Sequence, residues 1–548
     1  MLRYGVGDNT MSVEFKDYFL PGYIGGALGE AGKLRVEERP FLDGLTVHHL
    51  VVDREVLQIV GRALRNRRND LMKGVDLRDS QGLANRLAGL GALSAEVSRA
   101  DSPLRKEALE VLPLISGFSR EMTAVLIDSF AGLMTSEEAP TLGQMPTAKE
   151  AARAFTKTPH GYVRYYPGLL GTLPPLPIAG LPQVVTNIAA GNVAGITIMQ
   201  AMLAMLVGAA SLEKNASAEP YFGPRFLQEL ARLEAASGLF PLSDLMVLVT
   251  FPGTDHSLLA ELIHQGDHLQ VTGGHDSKRD ISKTVRRLRL RGLRDLKRRV
   301  SGHWHKVSFD IVGSQYLGDD WLDTVAFGVA FDNSMFNTQG CLSAQQVFVE
   351  GNEAEVMRFS EHYIEHMRAI LQALPKGPDP GDQLWEMYEW YENRRGVTIL
   401  TTLSDLREQP FFTVYDGDVQ DFTAFNALNR SIIIRRVDCL EEALPRLLGT
   451  GEKEDLLQSC GVAVAQQRLA PIAELLGRAG VNRIVAVGNI WDMHLGAESW
   501  DGYMSPYDLI VPQPGHWTTI SFHQMGDELR RVRERNEALL AGVGPRSH

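Results

Sequence analysis

The 548-residue chain contains only three cysteines, Cys341, Cys439 and Cys460. That is too few for a disulfide framework, and the paired spacing of zinc sites is missing, so a reducing compartment and no metal are expected. A basic excess is missing as well: the net charge is -12. Nucleic acid is disfavoured as the main ligand, because binding a phosphate backbone needs a basic face. The first residues show no basic-then-apolar signal pattern, Met11 would serve as a start as well as Met1, and a cytoplasmic location is expected. Neither an internal repeat nor a low-complexity linker is visible. What remains is an ordinary composition, 44% hydrophobic and 22% charged, in the range of soluble globular proteins. At roughly 150 residues per domain the length suggests about two to four domains.

One segment runs against the soluble reading. Ile188 to Leu212 is a 25-residue stretch without a charge, long enough to cross a bilayer. Gly191, Gly195, Gly208 and Asn192 interrupt it, and no basic anchor follows it, so a helix buried in a large α/β protein is the preferred reading.

In chain order, Leu45 to Val52 alternates like a strand, and Arg54 to about Ser136 carries apolar residues at helical spacing, such as Leu57, Val60 and Leu64. Gly161 to Pro174 returns to strand character with proline punctuation. A βα alternation follows, with strands at Gln183 to Ile188, Ala209 to Glu213, Leu245 to Phe251 and His268 to Thr272. The helices between them are Ile196 to Leu206, Phe226 to Ala236 and Ser257 to Gln265. Such alternation predicts a parallel sheet covered by helices, with ligands at the carboxyl ends of its strands. Asn192, Lys214 and the Thr272-Gly273-Gly274 turn all fall there. From Lys278 to Arg299 eleven lysines or arginines face two aspartates along an amphipathic helix. This helix reads either as a solvated face or as a holder of phosphates on a nucleotide-bearing ligand. Beyond it, strands at Val307 to Val312, Ser431 to Val437, Cys460 to Val464 and Arg483 to Val487 alternate with helices at Asp320 to Ala330, Leu440 to Leu448 and Ala470 to Ala479. Gly377 to Gly381 is a turn.

The candidate chemistry lies in Asp332 to Glu350. A small polar loop, Asn337 to Gly340, delivers Cys341 into an apolar run, Leu342 to Val349, that reads as a buried strand. A thiolate is the strongest common side-chain nucleophile near neutral pH, and loops braced by rigid scaffold favour catalysis. On the stretch alone, Cys341 also fits a small buried hydrophobe.

Several segments together resemble the aldehyde dehydrogenase superfamily, and within it the long-chain acyl-CoA reductases of the LuxC type. They are Ala190-Gly191-Asn192-Val193, the strand entry from Lys306 to Ser308, Cys341-Leu342-Ser343-Ala344-Gln345, Asn482-Arg483-Ile484 to Gly488, and Trp500-Asp501-Gly502. The similarity covers roughly residues 160 to 512; the first 150 match only in general helical character.

The resemblance implies an aldehyde dehydrogenase-like α/β fold with two α/β domains, one Rossmann-like and dinucleotide-binding, the other catalytic, plus a helical N-terminal region. The expected division is 1–300 for the helical region and nucleotide domain, 301–500 for the catalytic domain, and 501–548 for a segment returning to the core or to an oligomer interface. A homo-oligomer is expected. The implied activity is reduction of a long-chain acyl thioester, carried by coenzyme A or an acyl carrier protein, to the aldehyde with NADPH. Cys341 is the implied nucleophile, and Asn192 with the Cys341 backbone N–H the oxyanion donors. Thr272, Gly273 and Gly274 are the implied pyrophosphate turn. Lys214 resembles the lysine that binds the adenosine ribose. Ser217 stands where NAD-preferring relatives commonly carry a glutamate, which favours NADPH.

Two departures accompany the resemblance. The stretch Gly302-His303-Trp304-His305-Lys306 holds no carboxylate where oxidising members place a general base, which suits a reductase. Near Asn426 to Asn429 the glutamate that grips the nicotinamide ribose is also missing. His303 and His305 are candidate proton donors, or ordinary core or surface histidines. Rival readings are an acylating aldehyde dehydrogenase working on another thioester, and a non-catalytic protein that uses the basic helix for RNA or an anionic membrane.

Overall fold

The computed structural model describes residues 2–3, 12–42, 44–75, 80–135, 155–158, 161–165, 182–290, 300–377, 382–402, 406, 411–419, 421–422, 426, 428–449, 456–493, 500–501, 516–520, 522 and 524–543. Parts of three expected elements lie outside these residues: the end of the Gly161 to Pro174 excursion, the last turns of the basic helix, and most of the Gly377 to Gly381 turn.

Three sheets organise the described chain. The first is small, with β1 (Leu2–Arg3), β2 (Ser12–Lys16), β3 (Val36–Leu42) and β4 (Leu45–Leu50) in the order β1-β2-β4-β3. Four helices follow, Arg54–Leu71, Ser80–Ser98, Pro103–Ser116 and Arg120–Thr135, as the apolar spacing predicts. The hairpin of β5 (Phe155–Thr158) and β6 (Gly161–Tyr165) is antiparallel and joins the far edge of the third sheet.

The second sheet comprises β7 (Val184–Ile188), β8 (Ala210–Lys214), β9 (Met246–Val249), β10 (His268–Gly273) and β11 (Val300–Trp304) in the order β11-β10-β7-β8-β9, all parallel. Every residue of β7, β8 and β9 is buried, as expected for a sheet covered on both faces. The uncharged run from Ile188 to Leu212 is therefore the end of β7, the helix Ile196–Leu206 and the start of β8. At 1.5 Å per residue an 11-residue helix reaches about 16 Å, half of a bilayer core. Among the described residues no helix is long and apolar enough to cross a membrane. Gly195, at φ 97°, makes the turn into that helix.

The chain passes from the second sheet to the third between Trp304 and Val307. The third sheet adds β12 (Val307–Val312), β13 (Ala344–Glu350), β14 (Val397–Ile399), β15 (Phe412–Asp416), β16 (Ser431–Val437), β17 (Leu457–Ala463), β18 (Arg483–Ala486) and β19 (His516–Ile520). Its ten strands run β14-β15-β16-β13-β12-β17-β18-β19-β6-β5, parallel except at the two end pairs. The helices Leu322–Ser334 and Glu353–Ala373 pack against each other over this sheet. The second of them starts with a capping box between Asn352 and Glu355, which satisfies donors at its first turn. The C-terminal helix Met525–Val543 returns to pack on Leu322–Ser334.

Burial of charge adds a pH dependence. Glu219 is buried, with Oε1 accepting from the backbone N–H groups of Tyr221 and Phe222, and burial raises its carboxyl from 4.5 to about 8. Between those two values the native state keeps a proton that the unfolded chain has released, so stability is greatest at the acidic end of the window and falls as pH rises through it. Glu219→Gln should lose less stability than the wild type between about pH 5 and about pH 8, compared by urea-unfolding midpoints. Equal losses in the two proteins would remove Glu219 as a source of the slope.

Candidate active site

Cys341 sits between the helix Leu322–Ser334 and β13, and the path to it is unusual. Phe336, Asn337 and Thr338 are consecutive non-glycine residues in the left-handed region, at φ 52°, 52° and 60°. A second such triplet, Leu428, Asn429 and Arg430 at φ 58°, 52° and 62°, lies against the first. The backbone N–H of Arg430 donates to Thr338 Oγ1 at 2.9 Å, and its Nε donates to Asn337 Oδ1 at 2.9 Å. Left-handed backbone costs about 1–3 kcal/mol per residue and persists only where its surroundings over-determine it.

Asn333 provides much of that determination. Its buried amide donates to the carbonyls of Ala344 and Ser431, at 2.8 Å each, and accepts from the Tyr363 hydroxyl at 3.0 Å. Thr338 Oγ1 donates to the Asn333 carbonyl at 2.7 Å, Ser343 Oγ to the Met335 carbonyl at 2.8 Å, and Ser308 Oγ to the Cys341 carbonyl at 2.6 Å. The loop is thus fastened on both sides of the thiol.

Cys341, Asn192, His303, His305, Thr272, Gly273 and Gly274 all line one cavity of about 940 Å³. Asn192 comes from the turn after β7, and its Nδ2 donates to the carbonyl of Gln339, two residues before the thiol, at 3.1 Å. The Thr272 hydroxyl accepts from the Ala190 N–H at 2.9 Å and donates to the Ile188 carbonyl at 3.2 Å, which joins the ends of β7 and β10. Gly273 and Gly274 open the helix His275–Leu290, and a Cβ added at Gly274 would meet nothing within 4 Å. That helix start faces open space.

Lys214 and Ser217 are not in the cavity wall. Lys214 ends β8 and is buried; its Nζ donates to the Asn215 carbonyl at 3.2 Å over the Phe251 ring, and burial lowers its ammonium to about 8. Ser217, three residues on, is exposed. Asn426, in the segment without the ribose-gripping glutamate, gives its amide to the carbonyls of Gln345 and Ser431 at 2.9 and 3.1 Å, a structural use.

The two histidines differ. His305 is exposed at the cavity rim, whereas His303, on β11, is buried. The carboxylate that the strand around His303 lacks arrives from far along the chain. His303 Nδ1 lies 3.1 Å from Asp501 Oδ2, Asp501 Oδ1 accepts from Gln458 Nε2 at 2.7 Å, and the Trp500 ring stacks on the imidazole at 3.7 Å. The Cys341 thiol is pushed up to about 12, first by burial and then by the Asp501 charge; the Gln458 amide and the charge of Lys306 act the other way. At rest the cysteine is a thiol that needs a base. In the sequence Asp501 stands out only within the Trp500-Asp501-Gly502 segment, with no role, and Gln458 does not stand out at all, because 43 residues separate the two.

Most of the rest of the cavity wall is apolar. Leu90 and Leu126 come from the N-terminal helices, with Phe130, and Met202 and Leu203 from the helix Ile196–Leu206. Elsewhere, among the described residues, Glu350, Cys439 and Glu441 cluster at metal-ligand distances, but Arg468 already pairs with both carboxylates, at 2.6 and 2.5 Å.

Comparison with known proteins decides the family. The model of the acyl-CoA reductase (LuxC) family matches residues 179–511. The chain belongs to the acyl-CoA reductase (LuxC) family. No curated protein matches it by sequence. Among solved structures it is similar to a salicylaldehyde dehydrogenase from Pseudomonas putida G7 (11% identity, TM-score 0.56, 85% of this chain and 90% of that one). A NAD-dependent benzaldehyde dehydrogenase from Corynebacterium glutamicum is also similar (15% identity, TM-score 0.54, 91% and 93%). So is a 3,6-anhydro-L-galactose dehydrogenase in complex with NAP (14%, 0.54, 82% and 87%). These likenesses show an aldehyde dehydrogenase-like α/β fold. Family and fold together make the LuxC-family chain an oxidoreductase of the acyl-CoA/aldehyde type.

Removing the Asn333 side chain would take away its bonds to the Ala344 and Ser431 carbonyls and the acceptor of the Tyr363 hydroxyl, leaving the Ser431 carbonyl its bond from Asn426. Asn333→Ala should lower the unfolding free energy by about 2–5 kcal/mol, measured by urea denaturation. A loss within about 1 kcal/mol would mean that the loop is held elsewhere.

Proposed function

We propose that the chain reduces a long-chain acyl thioester to the aldehyde with NADPH, through a thioacyl ester on Cys341. One observation carries this reading: a single, mostly apolar cavity joins the Cys341 loop to the glycine-opened start of the helix His275–Leu290. An apolar chain fits the wall made by the N-terminal helices and the helix Ile196–Leu206. The thioester carbonyl then lies against Cys341, near the side-chain amide of Asn192 and the backbone N–H of Cys341, the two donors for its oxyanion.

Attack by the Cys341 sulfur forms a carbon–sulfur bond and breaks the one to the carrier, which leaves as its thiol once protonated. The carrier is coenzyme A or an acyl carrier protein, since both present the same thioester. When bound, the nicotinamide supplies the hydride that converts the thioacyl group to aldehyde. The residues present fit a dinucleotide: Gly274 leaves room at a helix start whose free N–H groups and dipole favour a pyrophosphate, and Thr272 holds that turn to β7. Lys214 and Ser217 are assigned to the adenosine end, with the Lys214 ammonium turning away from Asn215 to reach a ribose. Glu219, two residues on, is buried and held neutral up to about 8, so its carboxyl sets no negative charge against a 2'-phosphate beside Ser217. An acylating aldehyde dehydrogenase for short acyl groups is the second reading; the long apolar wall counts against it.

Mixing the protein with a long-chain acyl-CoA and no NADPH should leave the acyl group on Cys341, read by peptide mass spectrometry. Adding NADPH should discharge it as aldehyde. An adduct on Cys439 or Cys460 would move the site, and no adduct with any acyl-CoA or carrier-protein thioester would overturn the reading. For the cofactor, Ser217→Glu should lower the ratio of kcat/KM for NADPH over NADH by about tenfold or more, since a carboxylate then faces the 2'-phosphate. An unchanged ratio would remove Ser217 from the cofactor site.

A further inference from the structure

Both oxygens of Asp501 are committed, one to His303 Nδ1 at 3.1 Å and the other to Gln458 Nε2 at 2.7 Å. The imidazole and the carboxylate are only 2% and 1% exposed, and Trp500, at an interplanar angle of 20°, fixes the plane of the ring. Ser308 Oγ donates to the Cys341 carbonyl at 2.6 Å and accepts from the N–H of Ser459, the residue after Gln458, at 3.3 Å, so the cysteine lies beside the chain that runs from Gln458 through Asp501 to His303. His303, Asp501 and Cys341 all line the same cavity. The other nearby cation, Lys306, directs its Nζ to Asn482 Oδ1 at 3.0 Å.

We propose that His303 is the proton-transfer group for Cys341 and that Asp501 and Gln458 are its positioning residues. The inference rests on the thioester reading above. A carboxylate on Nδ1 holds the proton of a neutral imidazole there, which places the lone pair on Nε2. As the Cys341 sulfur bonds to the acyl carbon, Nε2 takes the thiol proton. As the bond from that carbon to the carrier sulfur breaks, the electron pair leaves with the sulfur, and the imidazolium returns the proton to it. After reduction the Cys341–carbon bond breaks toward the cysteine, the aldehyde leaves, and the thiolate regains a proton from solvent. The sum is one thioester, one hydride and one proton converted to one aldehyde and one thiol. Gln458 holds the carboxylate by its other oxygen, so that the negative charge of Asp501 acts through the imidazole.

The competing role for Asp501, a bare anion beside the thiol, has the opposite sign. An anion acting directly disfavours the thiolate, so its removal would speed the reactions of Cys341; an anion acting through His303 favours the thiolate–imidazolium pair, so its removal slows them. The experiment is alkylation of Cys341 by iodoacetamide near neutral pH, followed by peptide mass spectrometry. Asp501→Asn and His303→Gln should each slow alkylation by about tenfold or more, and adding Asp501→Asn to His303→Gln should give no further slowing. Faster alkylation in Asp501→Asn, or a further slowing in the double variant, would overturn the proposal. If Asp501→Asn does not fold, His303→Gln alone decides: a wild-type alkylation rate there overturns it as well. Because alkylation needs no acyl donor, its failure is distinguishable from failure of the thioester reading, which is marked by missing acyl-Cys341 in a wild type that alkylates as expected.

Discussion

Two left-handed backbone triplets, Phe336–Thr338 and Leu428–Arg430, brace one another, and the position of Cys341 depends on that pairing. Neither is a conformation that these residues adopt in isolation. The cost is offset because Arg430, buried among the helices of the third sheet, makes bonds that run along both segments and on to the Leu374 carbonyl at 2.6 Å. Its guanidinium is lowered to about 9 by burial alone, the signature of a cation kept for geometry. The ends of β13 and β16, which adjoin these turns, pair in parallel and carry the same constraint into the sheet.

Much of the architecture was legible in the residues. The helix Ile196–Leu206 matches its expected bounds because Gly195 and the apolar run leave little choice of start. The strands β7 to β10 and β12 follow apolar runs of the kind that a covered parallel sheet buries. By contrast, the helix Glu353–Ala373 was not anticipated, although the capping pair Asn352 and Glu355 advertises its start. Periodicity was read for apolar spacing, and this helix mixes charges closely with its buried face.

The site divides along a similar line. Cys341, Asn192 and the Thr272-Gly273-Gly274 turn stand at ends of elements, where spacing along the chain marks them, and one cavity receives all of them. The partnership of Asp501 and Gln458 became visible only in the folded chain, where His303 on β11 and Gln458 on β17, strands of different sheets, both bond the Asp501 carboxylate. Lys214 shows the reverse limit. Its place at the end of β8 was legible, but the inward turn of its ammonium follows from packing against Phe251.

Leu90, Leu126 and Phe130, which wall the cavity, lie before residue 179, where the family match begins. On the proposed function, the reacting groups and part of the surface that would receive the substrate's tail are thus encoded in different stretches of the gene. Two relatives could share the chemistry residue for residue and still prefer acyl tails of different size. Selectivity in such a lineage can drift without touching a single group that makes or breaks a bond.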